Sequence, residues 1–257
     1  MKDDFYVIIP ARMASSRLPE KPLKPIAGVP MVVRVAQRAA QIQPKDIYVA
    51  TDDTRIVQAC AQHRVKAILT RDDHQTGTDR LSQAVSILDL PDDAIVVNVQ
   101  GDEPLIPPQV IGEVAQLLAD HPECQIATAA HEIDSLDEFL NPNAVKVVID
   151  EAGHAITFSR APIPWPRDAF RKTPRTLPQD LHPMRHIGLY AYRVKFLKQF
   201  PQWEQAPIER QESLEQLRAL WHGVKIAVMV MPGALPPGVD TQEDLDRVCK
   251  IFEQGTN

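Results

Sequence analysis

Four cations, Arg12, Arg17, Lys21 and Lys24, crowd a stretch that directly follows the apolar run FYVII and offers a packed core little else. Guanidinium groups make forked, charge-assisted bonds to phosphate oxygens, an ammonium adds a compact charge, and Ser15 and Ser16 bring hydroxyl and backbone donors. The chemistry open to such a loop is the grip of a polyanion, and a triphosphate would suit it. A solvated connection is the other reading these residues leave open. Neither G-x-x-x-x-G-K-[ST] nor G-x-G-x-x-G occurs here, so neither a Walker loop nor a dinucleotide fingerprint accounts for the stretch.

Further polar groups stand where strands end. VNVQGDEP places Gln100, Asp102 and Glu103 after a near-continuous apolar run. One Asp here and one elsewhere would suffice for Mg²⁺ on a nucleoside triphosphate, because that ion takes few carboxylates and completes its shell with phosphates and water. A solvated turn explains the same residues. In TRDDHQTGTDRL, Thr76 and Gly77 leave backbone groups open to a base or ribose, or simply make a turn. Arg160 ends a strand-like run, Glu215 and Gln216 fall in a helical one, and period two sets His186 and Tyr190 on one strand face. Taken alone, these are satisfied core or interface residues. Asp240, in GVDTQEDL, precedes the last helix and could be its N-cap, with Thr241 and Asp244 as an alternative capping pair.

The elements that must position these groups alternate. After FYVII, the apolar residues of PMVVRVAQRAAQ recur at helical spacing behind Pro30 as a first-turn residue. IYVAT, VKAILT and AIVVNV read as strands, with helices between and after them. The pattern predicts an α/β fold with a doubly wound, mostly parallel sheet whose ligands bind at the carboxyl ends of its strands. AVKVVIDEAGHAITFSR then reads as a hairpin turning at DEAG, which brings in antiparallel strands. The Pro-rich stretch from Ala161 to Pro183 leads into the strand HIGLYAYR, a short helix around VKFLKQF and a longer one over ERQESLEQLRALWHG. One domain over 1–257 is expected, with an antiparallel subdomain excursion at about 141–193. Trp165 in that excursion reads as packing.

A net charge of -6 excludes a broad nucleic-acid or membrane surface, so any anion site must be local. No apolar run reaches a membrane span and the N-terminus lacks a signal-peptide pattern, so the expected location is the cytoplasm. Cys60, Cys124 and Cys249 are far apart and predict buried thiols; neither they nor the eight His show zinc-ligand spacing.

IPARMASSRLPEKPL closely resembles the nucleotide-binding signature of the sugar nucleotidylyltransferases, in particular of the 3-deoxy-manno-octulosonate (KDO) cytidylyltransferase family. The likeness continues in order through ATDD, HQTGTDRL, VNVQGDEPLI, NPNAVKVV, FSRAPIPW, RHIGLYAYR, ESLEQLRALWHG and GVDTQEDL, over nearly the whole chain. It implies a GT-A-like nucleotidyltransferase fold, CTP as co-substrate, Mg²⁺, KDO as acceptor, CMP-KDO and pyrophosphate as products for lipopolysaccharide biosynthesis, and a homodimer. By the same resemblance Ala11, Arg12, Ser15, Arg17 and Lys21 bind CTP, and Arg71, Thr76, Gly77 and Arg80 contact the cytosine nucleotide. Gln100 then meets the sugar, Arg160 its carboxylate, and His186, Tyr190, Glu215 and Gln216 its hydroxyls. Asp102 and Asp240 become the metal carboxylates. Arg12, Arg17, Lys21 and Asp102 would carry catalysis, with no residue standing out as a general base. The chain departs from the family loop at Glu20, where Gly is common. A different acceptor, such as the 8-amino analogue of KDO, would leave the same loop; a nucleotide-sensing binding protein would have no need of both carboxylates.

Overall fold

The computed structural model describes residues 4–14, 17–74, 76–173 and 175–255. In chain order the elements are β1 (Phe5–Ala11), the short ladder β2 (Pro25–Ile26) and β3 (Val29–Pro30), α1 (Met31–Ala39), β4 (Asp46–Thr51), α2 (Thr54–Gln62), β5 (Lys66–Leu69), α3 (Gly77–Ile87), β6 (Ile95–Asn98) and α4 (Pro108–Asp120). There follow β7 (Ile126–Glu132), α5 (Leu136–Leu140), β8 (Lys146–Ile149), β9 (Ala155–Ser159), β10 (Met184–Arg193), α6 (Val194–Gln199), α7 (Pro207–Glu212), α8 (Gln216–Trp221), β11 (Ile226–Met231) and α9 (Gln242–Gln254). Pro30 is the residue before α1, one place earlier than its spacing predicts.

The sheet runs β11-β7-β10-β6-β1-β4-β5. Pairs β1–β4, β1–β6, β4–β5 and β7–β11 are parallel, while β10 enters antiparallel between β6 and β7. The doubly wound, mostly parallel α/β reading therefore holds. From β1 the chain winds outward through β4 and β5, then returns to β6 on the other flank of β1. That reversal opens a crevice at the carboxyl ends of β1 and β6.

Period two along β1 divides the core. Val7 and Ile9 face the layer of α1, α2 and α4 through Val35, Ile56 and Ile111. Ile8 faces α3, α6 and α8 through Leu81, Phe196 and Leu217. All of β6 is buried, as a strand covered on both faces must be. The hairpin expected at DEAG forms as β8 and β9, hung on β10. Phe170 of the excursion packs in a small cluster with Ile133 and Phe139 from the segment before it, and the half-exposed Trp165 sits edge-on to the Phe170 ring. The excursion's last strand, β10, belongs to the central sheet.

Two local features depart from expectation. ERQESLEQLRALWHG is not one helix: Ser213 turns into the left-handed region at φ 51 between α7 and α8. Arg160 draws the break open, since its Nε donates to the Glu212 carbonyl at 2.7 Å and its backbone N–H to the Glu212 carboxylate at 2.9 Å. A buried bidentate pair closes the broken helix, with Arg218 Nε and Nη2 donating to Glu209 at 2.9 and 2.6 Å and the guanidinium lying over the Phe200 ring. The second departure is Glu20, a non-glycine residue at φ 58 where the chain enters the 3-10 turn Lys21–Leu23. Its carboxylate is drawn off to Arg55 Nη1 at 2.7 Å, on the surface.

These two features yield tests. Glu209→Ala strands a buried guanidinium and should destabilise the fold by about 3–5 kcal/mol in urea unfolding. The double variant Glu209→Ala/Arg218→Met should recover most of that loss. Left-handed backbone strains a side chain by about 1–2 kcal/mol, more than an exposed ion pair returns. Glu20→Gly should therefore raise the urea midpoint by a stabilisation of about 0.5–1 kcal/mol after glycine's greater unfolded freedom is allowed for; a lowered midpoint would mean the Arg55 contact outweighs the strain.

Candidate active site

At the crevice between β1 and β6 lies an open cleft of about 960 Å³ lined by Ala11, Arg12, Arg17, Lys21, Thr76, Gly77, Arg80, Gln100, Asp102 and Asp240. Three segments far apart in sequence supply its centre. The loop after β1 is anchored by buried Leu18, which packs with Met31, Val239 and Leu245. Gly101 lets the loop after β6 pass close to β1, since a Cβ there would lie 3.0 Å from the Pro10 carbonyl. The third segment, before α9, is tied to the second by the Val239 N–H, which donates to the Asp102 carbonyl at 2.8 Å. Gly238 fits this close approach, for a Cβ would sit 3.2 Å from that same carbonyl oxygen.

Lys21 joins all three. Its Nζ is 2.5 Å from Asp102 Oδ2, 3.1 Å from Asp240 Oδ1 and 3.0 Å from the Val239 carbonyl. Burial by itself lowers the Lys21 pKa, but hydrogen bonds and charge from Asp102 and Asp240 outweigh it and hold the ammonium above its ordinary value. Arg17 Nη2 lies 3.1 Å from Asp240 Oδ1 with most of its side chain in water. Among the described residues, Arg12 has no carboxylate partner, so its fork is available in the cleft. Ser15 lies outside the described residues.

The two readings of Asp240 now separate. Thr241 is the N-cap of α9, accepting from the Asp244 N–H, while Asp244 Oδ2 accepts from the N–H groups of Thr241 and Asp240. The capping box thus belongs to the alternative pair. Asp240 turns its carboxylate to Lys21 and Arg17.

On the facing wall, Thr76 caps α3 by accepting from the Asp79 N–H at 3.1 Å, so the positive helix end opens on the cleft at Gly77. Arg80 also borders the cleft yet is only 4% exposed. Its Nη2 pairs with Asp52 at 2.6 Å and its Nη1 donates to Thr70 Oγ1 at 2.5 Å, stitching α3 to the segments just after β4 and β5. Arg71 stands apart from this cleft, exposed and paired with Asp73 in a neighbouring depression.

Of the polar group expected to meet a second ligand, only Gln100 lines the main cleft. Tyr190, Glu215 and Gln216 line a smaller cavity of about 200 Å³ together with Thr78. Glu215 Oε2 accepts from Thr78 Oγ1 at 2.9 Å, its Oε1 is buried without a partner among the described residues, and burial raises its pKa. The first turn of α3 therefore divides the two cavities. His186 stands behind Tyr190, ring to ring at 5.2 Å, with Nε2 2.9 Å from Thr128 Oγ1. Desolvation drives its pKa down to about 3, which leaves a neutral ring. A bulge in β10 between Ile187 and Tyr190 separates the two residues along the strand without parting their rings. Arg160 borders neither cavity, being engaged by the Glu212 and Pro142 carbonyls.

Three groups escaped the sequence reading as site residues. Asp52 fixes Arg80, and the signal for it was an Asp directly after a buried strand. Glu103, beside Asp102, is pushed up to about 7 by burial and then by the Asp102 charge. Asn98 ends β6 with a buried Oδ1 that has no partner among the described residues; a polar residue inside AIVVNV was its signal.

A protein-family model for cytidylyltransferases matches residues 6–226. The chain is 59% identical over 250 residues to a 3-deoxy-manno-octulosonate cytidylyltransferase of Methylibium petroleiphilum, covering 96% of this chain and 95% of the relative. A protein of the same name from Herminiimonas arsenicoxydans is 54% identical, covering 97% and 99%. Among solved structures, a CMP:2-keto-3-deoxy-manno-octonic acid synthetase complexed with CTP superposes with a TM-score of 0.88 at 40% identity, over 98% of this chain and 99% of the other. HddC from Yersinia pseudotuberculosis, at 13% identity and a TM-score of 0.63 over 96% and 99% of the two chains, shares the fold. With that family match and full-length relatives of one name, this chain belongs to the cytidylyltransferase family.

Proposed function

We infer that this chain transfers the cytidylyl group of CTP to 3-deoxy-manno-octulosonate, forming CMP-KDO and releasing pyrophosphate. The observation that carries the reading is the meeting of Arg12, Arg17 and Lys21 with Asp102 and Asp240 in one cleft, facing the N-terminus of α3. Its relatives' name and the CTP held by a 40% identical structure support the choice of substrates.

The residues fit Mg²⁺. Asp102 and Asp240 converge closely enough to share one cation, since the Lys21 ammonium already touches both, and their hard oxygens suit the ion. These two carboxylates would hold it, and when bound it neutralises phosphate charge and eases deprotonation of the sugar's anomeric hydroxyl. That hydroxyl attacks the α-phosphorus in line. Arg12 and Arg17 take the oxygens of the departing pyrophosphate as forks, and Lys21, on a flexible stem, supplies a point charge. Ala11, Thr76 and Gly77 offer backbone and hydroxyl contacts at the nucleoside end, while Arg80 keeps that wall in place through Asp52. Gln100 reaches the sugar from the floor of the cleft, and Tyr190, Glu215 and Gln216 serve it from the adjoining cavity on the other side of the first turn of α3. Catalysis is then mostly positioning and electrostatics, with the hydroxyl's proton passing to water, since no residue stands out as its general base.

The same reading places the enzyme in the cytoplasm in lipopolysaccharide biosynthesis, as a homodimer touching through the β8–β9 region, whose edge strand β9 exposes Ile156. Among the described residues no helix is long and apolar enough to cross a membrane.

Pyrophosphate release should require CTP, Mg²⁺ and KDO together; equal turnover with ATP, or with a neutral hexose phosphate, would overturn the assignment. Asp240→Asn should keep its melting temperature, because Thr241 is the cap, while turnover falls about 10²-fold or more and the Mg²⁺ requirement rises. Lys21→Ala should lose turnover on the order of 10²–10³-fold without a raised Mg²⁺ requirement. Unchanged Mg²⁺ dependence in Asp240→Asn would leave Asp102 alone as the metal carboxylate.

A further inference from the structure

A second set of metal-ligating side chains gathers at the amino ends of β7 and β11, the sheet edge opposite the cleft. His121, Glu123 and Cys124 come from the turn between α4 and β7, and His154 from the β8–β9 turn. One ligand atom from each of the four lies within 4.8 Å of all the others. We propose that His121, Glu123, Cys124 and His154 form a structural site for a zinc-like divalent transition metal that clamps the β8–β9 hairpin to the central sheet.

The geometry is near what such an ion needs. Bonds of 2.0–2.3 Å in a tetrahedron set ligand atoms roughly 3.3–3.8 Å apart. Glu123 Oε1 is already 3.0 Å from His121 Nδ1 and 3.1 Å from His154 Nε2, so closing the site asks for adjustments of about an ångström. Two imidazoles, a carboxylate and a sulfur form a donor set for zinc, cobalt or nickel and a poor one for Mg²⁺ or Ca²⁺, which prefer all-oxygen shells. His154 also has the outer partner typical of a metal-bound imidazole: Asp150 Oδ2 lies 3.5 Å from Nδ1, which leaves Nε2 for the ion.

Both carrying segments are held by bonds independent of the cluster. Arg193 Nε donates to the Cys124 carbonyl at 3.0 Å and its Nη2 to the Leu118 carbonyl at 2.8 Å, while the Cys124 N–H closes the turn on His121. Across from it, the His154 N–H donates to Asp150 Oδ1 and the Val228 N–H to the Gly153 carbonyl, both at 2.8 Å. Such a pre-positioned site lowers the ordering a metal must impose. No single segment carries a recognisable ligand spacing, which is why the sequence pointed away from zinc.

Because the site lies at the far edge of the sheet, binding should move stability and leave Mg²⁺-supported turnover alone. The test uses full-length protein stripped by chelator, with excess Mg²⁺ present to occupy the acidic cleft. One equivalent of Zn²⁺ is expected, raising the melting temperature by about 5–10 °C at a hundredfold excess over Kd. Co²⁺ should show tetrahedral d–d bands and a thiolate-to-cobalt charge-transfer band that Cys124→Ser abolishes. His121→Ala/His154→Ala, whose changes lie nearer the surface, should fold and lose the thermal shift. Cobalt bound without the sulfur band, or an equal Zn²⁺ shift in the double histidine variant, would overturn the site.

Discussion

One ammonium between two carboxylates organises the cleft. Asp102 follows β6, Asp240 precedes α9 and Lys21 ends the loop after β1, and each would be a surface charge without the others. Two carboxylates brought this close repel, and the Lys21 ammonium between them offsets that repulsion. The backbone is built to the same plan. Gly101 and Gly238 allow approaches that a Cβ would crowd, and the Val239 N–H locks onto the Asp102 carbonyl. Packing of Leu18 under α9 then fixes how far the cationic loop can move. A site of this kind is held together by its own charges before any substrate arrives.

The first turn of α3 has a double role. Toward the main cleft it presents a capped helix end at Thr76 and Gly77; away from it, Thr78 holds Glu215. A carboxylate desolvated in this way, with one oxygen unpartnered among the described residues, has room for a hydrogen-bond donor from a hydroxylated ligand. Its place depends on the break at Ser213, which lets α8 start afresh with Glu215 and Gln216 at its head. Arg160 enforces that break and the buried Glu209–Arg218 pair secures it. Thus Arg160, which the family resemblance set on the sugar carboxylate, shapes the wall beside the cavity that Glu215 and Gln216 line.

What was legible in the chain followed from local rules. A cationic loop after the first strand and a carboxylate after the most apolar one must come together wherever a parallel sheet reverses its winding, so Arg12, Arg17, Lys21 and Asp102 were visible before any coordinates. Capping chemistry was equally visible: Thr241 and Asp244 were a readable pair, although only the fold shows that Asp240 is left for the cleft. Tertiary competition hid the rest. Helical spacing cannot report that a distant Arg160 captures the Glu212 carbonyl, and no motif reports that Asp52 immobilises Arg80 inside the wall. Cys249 is only partly buried where full burial was expected, at the edge of the small cluster that α9 covers beside β2. Cys124 and its histidine neighbours share no segment pattern, so their meeting belongs to the fold alone.

Charge balance in the cleft explains why its own cations are insufficient for a triphosphate. Arg80 is spent on Asp52, and the remaining cations are Arg12, Arg17 and Lys21 against the carboxylates Asp102 and Asp240. Three charges against two leave a small positive excess, far from the several negative charges of a nucleoside triphosphate. Glu20 could have eroded even that excess, but its left-handed backbone points the carboxylate to Arg55. Extra arginines would raise affinity for substrate and for released pyrophosphate alike, which binds without selectively favouring the transition state. On the proposed reading, a divalent cation held by the two carboxylates would solve this differently: its charge would arrive with the nucleotide and leave with the products. The ammonium of Lys21 would then keep those carboxylates together between turnovers, so that one observed structural counter-ion serves, in the proposed function, as a phosphate ligand as well.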